Sequence, residues 1–272
     1  MEKKEILKKK SLGQHFLHNA HYLEAVVNAA QIKKGMRVLE VGPGDGALTS
    51  KLLASSSEVI AIEKDHRLIP LLQEKFQKEI ASGQLKLIEG DALDFEPSSY
   101  KLKARSYAVV GNIPYYITGA LIKKYLTAPK QPSTLVFLIQ KEVAERITNH
   151  GVASKNPKES ILSLSVKAYG SPKYVTTVPR GAFVPPPKVD SAILAVSGIS
   201  RKHFTKKGQE ERFFALIKAG FSQKRKLLKR NVERVLGKKT TDAFVKAGIA
   251  EHARAEDISL EKWLALCSFR QS

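Results

Sequence analysis

The sequence predicts an α/β fold: a Rossmann-like parallel sheet within residues 1–200, followed by a smaller, basic helical domain over residues 201–272. Three observations carry this. From Gly35 onward, short β-branched apolar runs alternate with segments of helical period, the pattern of a parallel sheet covered by helices. A glycine-rich turn, Gly42-Pro43-Gly44-Asp45-Gly46, follows the first of those runs. Beyond Gly198 the strand signals cease and the chain becomes helical and cationic.

Taken in order, Arg37-Val41, Glu58-Ile62, Leu85-Ile88, Tyr107-Val110 and Thr134-Ile139 read as strands. Leu48, Leu52 and Leu53 recur at helical spacing between the first two, as do Leu68, Leu71, Leu72 and Phe76 after the second, which makes a βαβαβ unit. Gln140-Thr148 and Glu159-Ala168 read as helices, the latter opened by Pro157 and Lys158. Tyr174-Val178 and Ser191-Val196 read as two further strands, joined by a loop running from Pro179 to Pro187. In the tail, Phe213, Phe214, Ile217 and Phe221, then Leu227, Leu228, Val232, Val235 and Leu236, give helices one apolar face each, and Leu260, Trp263, Leu264 and Leu266 mark a last helix.

A chain of 272 residues is long enough to bury a sizeable core. Lys and Arg number 46 against 26 Asp and Glu, so the net charge is +20, and the pI near 9.9 calls for a polyanionic partner, either nucleic acid or an anionic membrane surface. The charge is concentrated: residues 201–240 hold 14 Lys or Arg against 3 Glu, +11 of the total. An apolar content of 43% and a mean hydropathy of -0.23 exclude disorder as the main state. No window of 18 uninterrupted apolar residues offers a membrane span. The charged opening, Met1 to Lys10, lacks the apolar stretch of a secretion signal. A single cysteine, Cys267, excludes an intrachain disulfide and any Cys-rich metal site. The expectation is a cytoplasmic, monomeric protein without metal or membrane attachment.

Gly42, Gly44 and Ala47 satisfy the spacing of a nucleoside-cofactor turn between a strand and a helix, and Glu63 follows 21 residues after Gly42, where two ribose hydroxyls would donate to its carboxylate. Pro43 removes a backbone N–H from the loop, so a pyrophosphate would be poorly served. Glu40 places negative charge before the loop, tolerable beside a sulfonium cation; read otherwise, it is a cap or loop partner. S-adenosylmethionine, with a ribose, a positive sulfur and no phosphate, suits these residues better than NAD. Asp91, after the third strand, either receives an adenine amine or caps a turn before Leu93.

Gly111-Asn112-Ile113-Pro114-Tyr115-Tyr116 directly follows the fourth strand. An amide oxygen with a neighbouring backbone carbonyl accepts both hydrogens of an aromatic amine, a proline fixes their direction, and a ring stacks on the base. Two acceptors on those hydrogens favour a pyramidal nitrogen with its lone pair aimed at a methyl group. No strong base is needed, because the amine becomes acidic once alkylated. Thiolate chemistry at Cys267, in the terminal helix, does not fit this arrangement.

Five segments make the sequence resemble the ribosomal RNA small-subunit adenine dimethyltransferases: Ser11-Leu12-Gly13-Gln14-His15-Phe16-Leu17, Glu40-Val41-Gly42-Pro43-Gly44, Gly111-Asn112-Ile113-Pro114-Tyr115, Gln140-Lys141-Glu142-Val143, and Phe183 through Ser191. The resemblance implies an S-adenosylmethionine-dependent methyltransferase sheet and conversion of two adjacent adenosines near the 3' end of small-subunit RNA to N6,N6-dimethyladenosine, within an assembling small ribosomal subunit. It implies that His15, Leu17, Gly42, Glu63, Asp91 and Asn112 contact the cofactor or line its pocket. Asn112 and Tyr115 would orient and stack the target adenine, with Phe183 as an exposed second stacking face. Relatives of this type usually carry Asn where His15 stands, and often a polar residue in place of Tyr116.

A base inside a helix must be extruded, at a cost of a few kcal/mol, and stacking on a ring returns about 1 to 3 kcal/mol per base. Lys224, Arg225, Lys226, Lys229 and Arg230 fall on and around one helix and are expected to contact phosphates. Two alternatives stand beside the first reading: a large-subunit adenine methyltransferase of the macrolide-resistance type, and a ribosome-assembly factor without catalysis.

Overall fold

The computed structural model describes residues 14–55, 58–100, 102–151 and 158–269. Met1 to Gly13, and with them the start of the first quoted segment, lie outside the described residues, as does Pro157. The strands are β1 (Phe16–Leu17), β2 (Arg37–Val41), β3 (Glu58–Glu63), β4 (Leu85–Glu89), β5 (Tyr107–Asn112), β6 (Thr134–Gln140), β7 (Ser171–Val178), β8 (Phe183–Val184) and β9 (Ser191–Ser197). Seven of them form one sheet in the order β4-β3-β2-β5-β6-β9-β7. The first five in that order run parallel, and β9 lies antiparallel to β6. β2, β5 and β6 are buried almost throughout, as expected of strands covered on both faces.

From β2 the chain moves outward to β3 and β4, then returns to build β5 and β6 on the other side. That reversal opens a crevice beyond the carboxyl ends of β2 and β5. The helices serving this sheet include α1 (Ala20–Ala29), α2 (Ala47–Ser55), α3 (Ile69–Lys75), α4 (Gln77–Ala81) and α5 (Thr118–Thr127). Asn19 caps α1 through a bond accepted from the His21 amide at 3.1 Å. Val38, Leu52, Val59, Ala108, Val136 and Ile193 are fully buried in the core on one side of the sheet.

Two differences from the sequence reading have local causes. β7 begins at Ser171, three residues ahead of Tyr174, because an edge strand tolerates a proline such as Pro172. β1 and β8 pair as a separate two-stranded sheet, Phe16 opposite Val184 and Leu17 opposite Phe183. Two residues per strand are too few to show a period.

The chain divides into two compact units, one of residues up to 144 with 173–199, the other of 145–172 with 200–272. This corrects the single boundary expected near residue 200. After α6 (Lys141–Thr148), the helix α7 (Ile161–Tyr169) belongs to the second unit, where its Leu164 and Ala168 share a core with Phe213, Ile217 and Trp263. α7 opens at Ser160 rather than at Lys158: the Ser160 hydroxyl accepts from the Ser163 amide at 3.1 Å, and the Ser163 hydroxyl accepts from the Ser160 amide at 2.7 Å. The same unit contains α8 (Gln209–Gly220), α9 (Leu228–Leu236), α10 (Thr240–Lys246) and α11 (Leu260–Ser268). No helix among the described residues is long and apolar enough to cross a membrane.

Candidate functional site

The crevice at the switch point is lined by the ends of four parallel strands and by the segment around β1: His15, Leu17, Gly42, Glu63, Asp91, Asn112 and Tyr115 all face it. The sequence reading therefore named residues that the fold brings together, except Phe183.

The glycine turn is tied down from within. Gly42, Gly44 and Gly46 have positive φ of 70°, 62° and 79°, the left-handed region that favours glycine. Their amides are all committed inside the protein: Gly42 donates to the Ile62 carbonyl at 2.9 Å, Gly44 to Glu63 Oε2 at 3.1 Å, and Gly46 to the Pro43 carbonyl at 2.9 Å. A side chain at Gly44 would also strike the Phe16 ring, its Cβ falling 2.9 Å from Cε1. Glu63, 6% exposed, takes the Asp65 amide on Oε1 at 2.8 Å. Burial raises its pKa, and the amide donors hold the rise back. Backbone amides of Asp65, Gly44 and Lys64 thus serve the carboxylate, fewer donors than its four acceptor directions.

Glu40 is a correction. Its side chain is fully buried in β2 rather than placed at the loop, and it neither caps a helix nor lines the crevice. Burial raises its pKa to about 8, and the Thr49 hydroxyl is the one side-chain group that holds the rise back by hydrogen bonding. Near neutral pH it is mostly protonated, so it supplies little of the negative charge expected there. The even alternation of strand side chains explains the miss: Glu40 and Val41 point to opposite faces of the sheet, whereas sequence proximity suggested a loop neighbour.

Asp91 reaches the crevice with both oxygens engaged. Oδ1 accepts the Leu93 amide at 2.9 Å, the turn geometry considered for it, and Oδ2 accepts from Lys64 Nζ at 2.6 Å. Lys64 and the backbone together hold its carboxyl below the usual range.

Asn112 ends β5, one residue beyond the Gly111 that pairs with Val41. A Cβ at Gly111 would come within 2.6 Å of the Val41 carbonyl, so only glycine lets the two strand ends approach. Asn112 Nδ2 donates to the His15 carbonyl at 2.7 Å. Its donor side is therefore fixed, leaving Oδ1 as the acceptor it can offer. The His15 ring is turned to the proline loop, where Nδ1 meets the Pro185 carbonyl at 2.8 Å, and it stacks with Tyr115 at a centroid distance of 6.3 Å. Tyr115 is anchored through its hydroxyl to Ser191 at 2.7 Å, and burial raises its pKa, which keeps the phenol neutral.

Phe183 does not present the exposed face expected of it. It is 2% exposed and packs in the core beside Leu17, its partner across the β1–β8 pair, while Val184 points outward at 48% exposure. Strand alternation turns the ring inward.

Several contributors escaped the sequence reading. Asp65, 2% exposed, joins Gln14 Nε2 at 2.9 Å to the Arg67 Nε at 2.8 Å, tying the chain ahead of β1 to the end of β3. Arg67 holds the Asp65 carboxyl far below its ordinary range. Ser191 and Lys64 are the others; Ser191 is buried, and the acids directly flanking Lys64, Glu63 and Asp65, were the available signal.

In the second unit, Lys224, Arg225 and Lys226 are exposed in the turn between α8 and α9, and Lys229 and Arg230 open α9. Lys229 is paired with Glu251 at 2.6 Å. Asn231, 7% exposed, holds the turn by donating to the Gly220 and Gln223 carbonyls at 2.7 and 3.1 Å. Cys267 is buried in α11 with its thiol pKa raised by burial, and it does not line the crevice. No cluster of metal-ligating side chains occurs among the described residues.

The family model for ribosomal RNA adenine dimethylases matches residues 6–271. A ribosomal RNA small subunit methyltransferase A from Dehalococcoides mccartyi is 38% identical over 98% of this chain and 90% of its own length. One from Clostridium botulinum is 36% identical over 97% of this chain and 96% of its own. Among solved structures, a dimethyladenosine transferase from Plasmodium falciparum superposes with a TM-score of 0.74 at 27% identity, covering 93% of this chain and 96% of that one. The 23S rRNA methyltransferase ErmE superposes at 0.75, also at 27% identity, covering 93% and 98%.

Proposed function

The chain belongs to the ribosomal RNA adenine dimethylase family, and from that premise we propose that it uses S-adenosylmethionine to dimethylate N6 of two adjacent adenosines near the 3' end of small-subunit ribosomal RNA, in the assembling subunit. The curated relatives matched over nearly their full length carry the small-subunit name, which favours this target over a large-subunit one.

The residues fit that cofactor. A loop whose three glycine amides are already donated internally has little left for a phosphate, and Pro43 has no N–H to give. Glu63 retains acceptor capacity toward the crevice for a ribose hydroxyl. Gly42, Leu17 and Asp91 would hold the rest of the nucleoside, with Lys64 yielding its place on Asp91 to an adenine amine. When bound, S-adenosylmethionine supplies an electrophilic methyl group.

The chain's own work lies at the amine. Asn112 Oδ1 accepts one amine hydrogen and the backbone carbonyl beside it the other, so the nitrogen lone pair is freed from the ring and directed at the methyl. Tyr115, neutral and anchored on Ser191, stacks on the purine and keeps it in plane. The single observation carrying this reading is the Asn112 Nδ2 bond to the His15 carbonyl, since it fixes which amide atom is left to accept. Replacing Asn112 by Ala lowers single-turnover methyl transfer by at least about 100-fold, the scale of losing an oriented polar group at the reacting centre, while RNA affinity stays within about threefold. Undiminished transfer by the variant contradicts the mechanism.

A further inference from the structure

The crevice has a second aromatic ring that the chemistry above does not use. Tyr116 lines the same mouth as Tyr115 yet is 67% exposed, the one exposed Phe, Tyr or Trp ring among the described residues. It stands in the single 3-10 turn Tyr115–Ile117 that leads into α5. Such a turn has about three residues per revolution, so neighbouring side chains diverge by about 120°. Tyr115 is held inward by Ser191 and His15. Tyr116 therefore cannot close on the far face of the base that Tyr115 stacks. Lys64, 60% exposed and paired with Asp91 at 2.6 Å, lines the same crevice, so its lining carries a cation as well as the ring.

Resting on the RNA reading above, we propose that Tyr116 is a stacking platform for the nucleobase next to the extruded adenosine. Extrusion removes a stacking neighbour from each adjoining base, and an exposed ring at the mouth replaces it. The flanking base is the occupant because the strand must pass this rim when its neighbour enters the crevice, and because the rim carries a cation and a ring together, the two features that a nucleotide's phosphate and base require.

The test uses the full chain and a hairpin RNA with two adjacent adenosines in its loop, bound in the presence of S-adenosylhomocysteine. Each nucleotide flanking the adenosines is replaced in turn by an abasic one. Tyr116→Ala weakens binding of the intact hairpin by about 5- to 30-fold, and Tyr116→Phe stays within about twofold of the parent. One abasic position weakens the parent by a similar factor and leaves Tyr116→Ala almost unchanged. Losses that multiply at every position, or an unaltered affinity in Tyr116→Ala, overturn the platform. So does a Tyr116→Ala defect confined to S-adenosylhomocysteine binding, which would put the ring on the cofactor. Failure of the parent to bind the hairpin removes the RNA reading as well, whereas binding without coupling removes only the stack.

Discussion

Glu40 shows how one buried side chain sets a measurable pH response. Its carboxyl is fully buried without a charged partner and has a pKa of about 8, whereas in the unfolded chain it titrates near 4.5. Between those values the folded state holds a proton that the unfolded state has lost, so stability falls as pH rises, by up to about 1.4 kcal/mol per pH unit inside the window. Glu40→Gln keeps the shape and removes the titration. The variant's melting temperature is expected to gain on the parent's between pH 5.5 and 8, and parallel curves contradict the assignment. Asp65 works in the opposite sense: its lowered pKa contributes stability that is present above the unfolded pKa and lost as pH falls. Both are carboxylates near the ends of adjacent strands. Only their partners differ, a neutral Thr49 hydroxyl for Glu40 and Arg67 with Gln14 for Asp65, and partners are what a linear sequence does not display.

At the scale of elements, the five parallel strands and the helices after β2 and β3 were legible because each shows its period, whereas α1 and α5 went unread although each has ten residues. So was the gathering of Gly42, Glu63, Asp91 and Asn112, which follows from their places at strand ends once the strands are parallel. The β1–β8 pair was not legible, and with it went the orientation of Phe183: a two-residue strand has no period, and its pairing joins segments far apart in sequence. In the second unit, Gly220 illustrates a close approach. A Cβ there would fall 2.3 Å from Trp263 Cη2 and 2.8 Å from Leu228 Cδ1, and Trp263 is fully buried. Gly220→Ala is expected to destabilise the protein by about 1 to 3 kcal/mol through overpacking, read as a lowered denaturation midpoint; an unchanged midpoint would mean that α8 and α11 adjust freely. The turn that follows is pinned by Asn231 and carries Lys224, Arg225 and Lys226 outward. Neutralising these three flattens the slope of log affinity for RNA against log salt by about 2 to 3. A slope equal to the parent's places the turn away from the phosphates.

Across the whole molecule, charge and chemistry are divided between the two units. The sheet gathers acceptors and rings at one carboxyl edge, where the glycine turn spends its amides on its own scaffold. The other unit concentrates cationic side chains on helices with an apolar core of their own. Net charge and the charge gradient along the chain announced this division, but the placement of residues 145–172 with the basic unit depended on which core α7 joins, and an apolar face fits either core equally well on paper. On the proposed reading, the sheet's site supplies the reaction and the basic helices supply affinity for RNA. The direct test is to incubate the protein with methyl-labelled S-adenosylmethionine and either small-subunit precursor RNA particles or large-subunit RNA, then map the labelled nucleotides. The account predicts two adjacent N6,N6-dimethyladenosines near the 3' end of the small-subunit RNA. Label confined to large-subunit RNA, or no label in either, contradicts it.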